Sequence, residues 1–95
     1  MWFVWDPEKE RRKKAKHGLD LSFAEAVFAD PLRVLVFDRH ENGEERWHSV
    51  GAVAGGLKVL LVVHTYPDED DPDLVRVIGL REATRRERRR YEDAE

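Results

Sequence analysis

Arginine dominates the residues of this chain that could do chemistry. Between Arg81 and Arg90 there are six arginines against two glutamates, a local charge of +4 in a chain whose net charge is −3. A guanidinium is planar, always charged, and matches two phosphate oxygens at once. Arginines held at a strand-to-helix junction therefore point to phosphate, and through phosphate to nucleic acid. Arg46, His64, Thr65, Arg76 and Arg81 each fall on, or just after, a predicted strand. If the sheet follows its hairpins, Arg46 and Arg76 flank the strand that carries Thr65. Two guanidiniums on one face would form a phosphate clamp. Any one of these arginines alone reads as ion-paired or solvated; the set reads as a functional surface.

Other groups carry weaker signals. His17 closes a lysine-rich helix, where the helix dipole favours a protonated imidazole and hence a general acid; plain compensation of that dipole explains it equally well. His40, His48 and His64 lack metal-ligand spacing with one another or with the carboxylates, so no metal site is expected. His48 is expected on an exposed sheet face, and His64 is either a packed strand residue or part of a site. The acidic run from Asp68 to Asp73 lacks the glycine and distant glutamate of a calcium loop and reads as a solvated turn. Trp5 and Trp47 read as core anchors rather than base-stacking platforms.

These residues must be positioned by a single domain spanning residues 1–95 with a modest core. The chain is 41% hydrophobic and 39% charged, so it is globular but heavily solvated. It has no cysteine, which removes disulfides and thiolate catalysis and fits a reducing cytoplasm. The opening Met1 to Trp5 is too short for a signal peptide, and the run Val59 to Val63 falls far short of a membrane span. The excess of acid argues against a general polyanion binder, so only clustered cations sustain the nucleic-acid reading.

Asp6-Pro7-Glu8 has the form of a helix start, and Gly18 that of its end. Between them, Lys9 to Lys16 holds six Lys/Arg and one apolar residue, Ala15. Ser22 with Glu25 reads as a capping box opening a second helix, ended by Asp30-Pro31. Four strands are predicted over Leu32–Phe37, Glu45–Val53, Val59–Tyr66 and Leu74–Leu80, with Trp2–Trp5 a possible short fifth. Asn42-Gly43 and Gly55-Gly56 are hairpin signals. Thr84 with Glu87 reads as the capping box of a C-terminal helix. The expected fold is α+β: two N-terminal helices, a four-stranded mainly antiparallel sheet and a C-terminal helix, with the helices on one face.

Order and spacing now become familiar. Val4-Trp5-Asp6-Pro7-Glu8-Lys9, Lys16-His17-Gly18, Phe23-Ala24-Glu25-Ala26, Asp30-Pro31, Glu44-Glu45-Arg46, Val62-Val63-His64-Thr65, and the close from Arg76-Val77-Ile78 through Arg81 to Glu92 together resemble BrnT-type toxins over nearly the whole chain. The sequence departs from that pattern at Gly79-Leu80, where Ser-Ala is usual, at Lys13 in place of an asparagine, and in a longer, more acidic loop after Thr65. The resemblance implies a RelE-like fold and a ribonuclease toxin of a type II toxin–antitoxin pair. It also implies neutralisation by a DNA-binding BrnA-type antitoxin, contact with operator DNA only through that antitoxin, and oligomers formed only through it.

A metal-free ribonuclease needs a base for the 2′-hydroxyl, cations on the phosphorane and an acid for the leaving 5′-oxygen. Arg46, Arg76 and Arg81 are assigned to the phosphate, with Thr65 orienting it. His17 is the first candidate for acid or base, with Glu45 and Tyr91 behind it. Lys9, Lys16 and Arg85 would hold flanking RNA backbone. No cofactor and no membrane are expected. The rival class is a non-catalytic module, or a degenerate toxin, that binds antitoxin or nucleic acid without cutting.

Overall fold

Residues 34 to 82 fold into strands joined mainly by tight turns, apolar and polar positions alternating except at the wholly apolar 59–63, which is buried on both faces. The computed structural model describes residues 1–8, 11–12 and 18–94. In chain order the elements are β1 (Trp2–Trp5), α1 (Leu21–Ala29), β2 (Val34–Glu41), β3 (Glu44–Val53), a 3₁₀ turn (Ala54–Gly56), β4 (Lys58–Thr65), β5 (Leu74–Glu82) and α2 (Arg85–Asp93). Residues 7, 8, 11 and 12 are helical, while most of the expected first helix lies outside the described residues. Among the described residues no helix is long and apolar enough to cross a membrane.

The sheet has five strands in the order β1-β5-β4-β3-β2. The expected fifth strand is therefore real. β1 pairs with β5 in parallel, from Trp2 opposite Leu74 to Trp5 opposite Val77, while the other pairings are antiparallel. Asn42 and Gly43 both take positive φ (53° and 78°), the turn geometry whose twist matches a right-handed hairpin.

Strand ends shift by up to four residues from the sequence reading, and three differences have identifiable physical causes or consequences. Helix α1 starts one residue before Ser22, because Asp20 is the cap: its carboxylate accepts the Ser22 backbone N–H at 3.0 Å. No Ser22–Glu25 capping box forms, since the Asp20 carboxylate two residues earlier takes the capping position. Strand β2 starts at Val34, not Leu32, because Asp30 Oδ1 accepts the Leu32 N–H at 2.9 Å and ties 30–33 into a turn. The helices also lie on opposite faces of the sheet. Helix α1 covers a core of Leu19, Ala24, Val27, Val53, Leu60, Val62, Val75, Val77 and Leu80. Helix α2 covers a smaller cluster, Val50, Val59 and Leu61, through Tyr91. Gly51 permits the close approach of α1: a Cβ there would meet the Val27 carbonyl oxygen at 2.9 Å.

Helix α2 packs over Val50, Val59 and Leu61 through Tyr91. Toward the other end of the strands the same face carries Arg39, Arg46 and Arg76.

Candidate functional site

Strand register decides which side chains can meet. Trp47 pairs with His64, and both face α1; Arg46 and Thr65, one step along each strand, face the α2 side. Arg76 is opposite Thr65 and Arg81 opposite Leu61, so both share that side as well. Five residues separate the two arginines, an odd spacing that would put them on opposite faces of a regular strand. A bulge reconciles them: Val63 pairs with Gly79 but His64 pairs with Val77, leaving Ile78 as an extra residue. A second bulge acts in β2. Phe37 pairs with Trp47 but Arg39 pairs with Arg46, which makes Asp38 the extra residue and returns Arg39 to the α2 side.

The end of this face away from α2 thus gathers Arg39, Arg46 and Arg76 around the buried Thr65, with Arg81 further along. Each guanidinium has a carboxylate within the chain. Glu41 Oε2 lies 3.1 Å from both Arg39 Nη2 and Arg46 Nη1. Arg76 donates to Glu44. Arg81 donates twice to Glu87, at 2.7 and 3.0 Å. Arg46 Nε and Thr65 Oγ1 are buried without a hydrogen-bond partner among the described residues. Paired carboxylates at 3.1 Å are stand-ins for the oxyanions that such forks recognise. Thr65 and Leu61 are four residues apart on β4, which sets Arg76 and Arg81 about 13 Å apart along the strand. Arg81 therefore suits a neighbouring phosphate rather than the one between Arg46 and Arg76.

A family model for the ribonuclease toxin BrnT of type II toxin–antitoxin systems matches residues 5–87. The chain belongs to the BrnT family. No curated protein matches it. A ribonuclease toxin family accounts for a face built from guanidiniums in a chain that is acidic overall.

Other expected residues of this BrnT chain fall elsewhere. Glu45 neighbours Arg46 on the strand and so points to the α1 side, where it meets His40 at 3.6 Å. Its carboxylate does not share the arginine face; Glu41 and Glu44 do. Tyr91 is tied to packing: its hydroxyl donates to Asp30 Oδ2 at 2.5 Å while its ring covers Val50, Val59 and Leu61. Thr65 is 1% exposed, so its hydroxyl backs a ligand only through the arginines beside it. Arg85 is exposed at the first residue of α2, on the same side of the sheet. His17, Lys9 and Lys16 lie outside the described residues.

His64 is a core residue. It is fully buried, edge-on to Phe28 and Tyr66. Arg33 Nη1 donates to Ser49 Oγ at 2.7 Å, and Ser49, having accepted that bond, is placed to donate to His64 Nε2 at 2.8 Å. Burial, and then the charge of Arg33, push the imidazole down to about 3, so it is neutral near pH 7. Its expected alternative, a place in the site, does not follow: the ring is on the α1 side. Trp5 packs against the α1-side core, and Trp47 lies edge-on between Phe37 and Tyr66, while Trp2 is 69% exposed.

A cavity of about 460 Å³ opens at the end of the sheet, walled by Glu44, Glu45, Trp47, Tyr66, Asp68 and Glu69. Its four carboxylates repel phosphate, and Glu44, which pairs with Arg76, is the wall it shares with the arginine face. The sequence reading missed His48. It stands on the arginine face with its Nε2 3.4 Å from Asp38 Oδ2, both side chains only partly exposed. The alternation of Glu45–Val53 already placed His48 in phase with Arg46; only the bulge that brings Asp38 and Arg39 alongside was invisible.

Proposed function

We propose that this chain is a metal-independent endoribonuclease that cleaves RNA, inhibits growth, and is neutralised by a BrnA-type antitoxin in the cytoplasm. The observation that carries this is the convergence of Arg46 and Arg76 on one sheet face, with Arg81 along the same face, in a ribonuclease toxin family. Arg46 and Arg76 hold the scissile phosphate and offset the charge that grows on the phosphorane oxygens. Glu41 and Glu44 yield their guanidiniums to it. Arg81 and Arg85 hold a flanking phosphate, and Lys9 and Lys16 add backbone contacts by charge alone. Thr65 supports the guanidiniums from beneath. His17 serves as the acid for the leaving 5′-oxygen. The attacking group is the RNA's own 2′-hydroxyl, so DNA is bound weakly and not cut. Operator DNA is met only through the antitoxin, and oligomers form through that partner.

One observation favours a second reading, in which the chain binds without cutting: Arg46, Arg76 and Arg81 are each already neutralised by a glutamate of the same chain. Incubation of the purified chain with single-stranded RNA, with and without EDTA, separates the two. The nuclease reading predicts equal cleavage in both, and none of a DNA of the same sequence. Intact RNA, together with unimpeded growth on expression, would leave only the binding reading. Cleavage abolished by EDTA and restored by Mg²⁺ would overturn the metal-free scheme.

A further inference from the structure

We infer that His48 is the base that removes the proton from the attacking 2′-hydroxyl, with Asp38 as its positioning residue; this rests on the ribonuclease reading above. Three observations carry it. First, among the described histidines only His48 lies on the arginine face: His64 and His40 lie on the α1 side, the former sealed in the core, the latter 70% exposed beside Glu45. Second, His48 follows Arg46 by two residues on β3, which places it about 7 Å along the same face and one step from the clamp. Third, its partner is installed by an irregularity. The β2 bulge leaves Asp38 as an extra residue, its Oδ2 3.4 Å from His48 Nε2 and 3.7 Å from Arg39 Nε. Bulges that re-aim a side chain collect beside active sites.

The pair is also built to work rather than to pack. The His48 and Asp38 side chains are 22% and 26% exposed, open enough for a substrate to reach the ring and closed enough to hold its orientation. Asp38 engages Nε2, which leaves Nδ1 to take a proton. A carboxylate on one imidazole nitrogen fixes the tautomer and stabilises the cation that forms at the other.

In the step itself, Nδ1 takes the 2′-hydroxyl proton as O2′ forms its bond to phosphorus. The P–O5′ bond breaks, and O5′ takes a proton from the acid, the role given to His17. The products are a 2′,3′-cyclic phosphate and a 5′-hydroxyl. The imidazolium then returns its proton to solvent.

The test compares the full-length chain with its His48→Ala, His48→Gln and Asp38→Asn variants on one single-stranded RNA, after circular dichroism has shown each to be folded. The expected loss in cleavage rate is ~10²–10⁴-fold for both His48 variants. RNA affinity should stay within a few-fold, and added imidazole should restore part of the His48→Ala rate. Asp38→Asn should lower kcat roughly tenfold at unchanged KM, as loss of ring orientation does. A wild-type chain that cuts beside an equally active His48→Ala overturns this assignment alone. So does a His48→Ala variant that loses affinity along with rate and gains nothing from imidazole. A wild-type chain that cuts no RNA overturns the ribonuclease reading and this assignment with it.

Discussion

Arg46 and Arg76 are useful only if they can leave their glutamates. Each pairs with one carboxylate at a partly exposed position, where an ion pair contributes little to stability. Arg46→Ala or Arg76→Ala should therefore leave the melting temperature nearly unchanged while lowering RNA cleavage by ~10²–10³-fold, the usual effect of removing one donor to a transition-state oxyanion. Thermal melts beside a cleavage assay check both halves. His64 has the opposite character. Its imidazole titrates near 6.5 when unfolded but at about 3 in the fold, so the unfolded chain binds the extra proton between those values. Stability should thus fall as pH drops below 6.5, by at most about 1.4 kcal/mol per pH unit. Urea titrations between pH 7 and 4 should show that slope, and His64→Gln should flatten it. That Arg46 and Arg76 share a face was legible in the sequence because a period of two assigns faces on a regular strand. Glu45 was misplaced by the same logic left unapplied: adjacent to Arg46, it cannot share its face.

The elements place these residues through irregularities that sequence patterns do not announce. The bulge at Ile78 turns the odd spacing between Arg76 and Arg81 into a shared face, and the bulge at Asp38 does the same for Arg39. Ile78 is not a turn residue, and a single Asp38 within a strand does not by itself mark a bulge, so the alternation reveals neither. Capping boxes were legible unequally. Thr84 and Glu87 form theirs, and Arg81 then clamps Glu87 from the strand. That hydrogen bond with Arg81 is the main reason the Glu87 carboxyl titrates at about 2 instead of 4.5. Its stabilisation is complete above 4.5 and is lost as pH falls toward 2. Hydrogen exchange in α2 should accelerate over that window, and Arg81→Ala should produce the same acceleration at neutral pH. An undisturbed α2 in that variant would show the clamp to be incidental. Asp30 ties three elements together: it caps α1, accepts the Ala52 N–H of β3 at 2.8 Å, and accepts the Tyr91 hydroxyl of α2. Tyr91→Phe should cost about 1.5 kcal/mol in denaturant unfolding, the worth of a hydrogen bond to a charged group.

Among the described residues, the four strand arginines of an acidic chain gather on one side of the sheet. Helix α1 packs on the main core on one side of the sheet; α2 packs on the smaller cluster on the other, the side that also carries Arg39, Arg46, His48 and Arg76. The α+β class and the antiparallel run from β2 to β5 followed from hairpin signals and alternation, whereas the parallel seat of β1 against β5 did not. The opposed placement of the helices did not, because α2 has few apolar residues and docks mainly through one ring, Tyr91. If roughly four phosphates are neutralised, RNA affinity should fall with salt at a log–log slope of about −3. The most direct test of the central claim, that RNA lies across the arginine face, is an NMR titration of the full chain with a single-stranded oligonucleotide that cannot be cut because its attacking hydroxyl is replaced by hydrogen. Shift changes should concentrate at Arg46, His48, Thr65, Arg76 and Arg81. Changes confined to the α1 side, or to the acidic cavity by Trp47 and Tyr66, would contradict it.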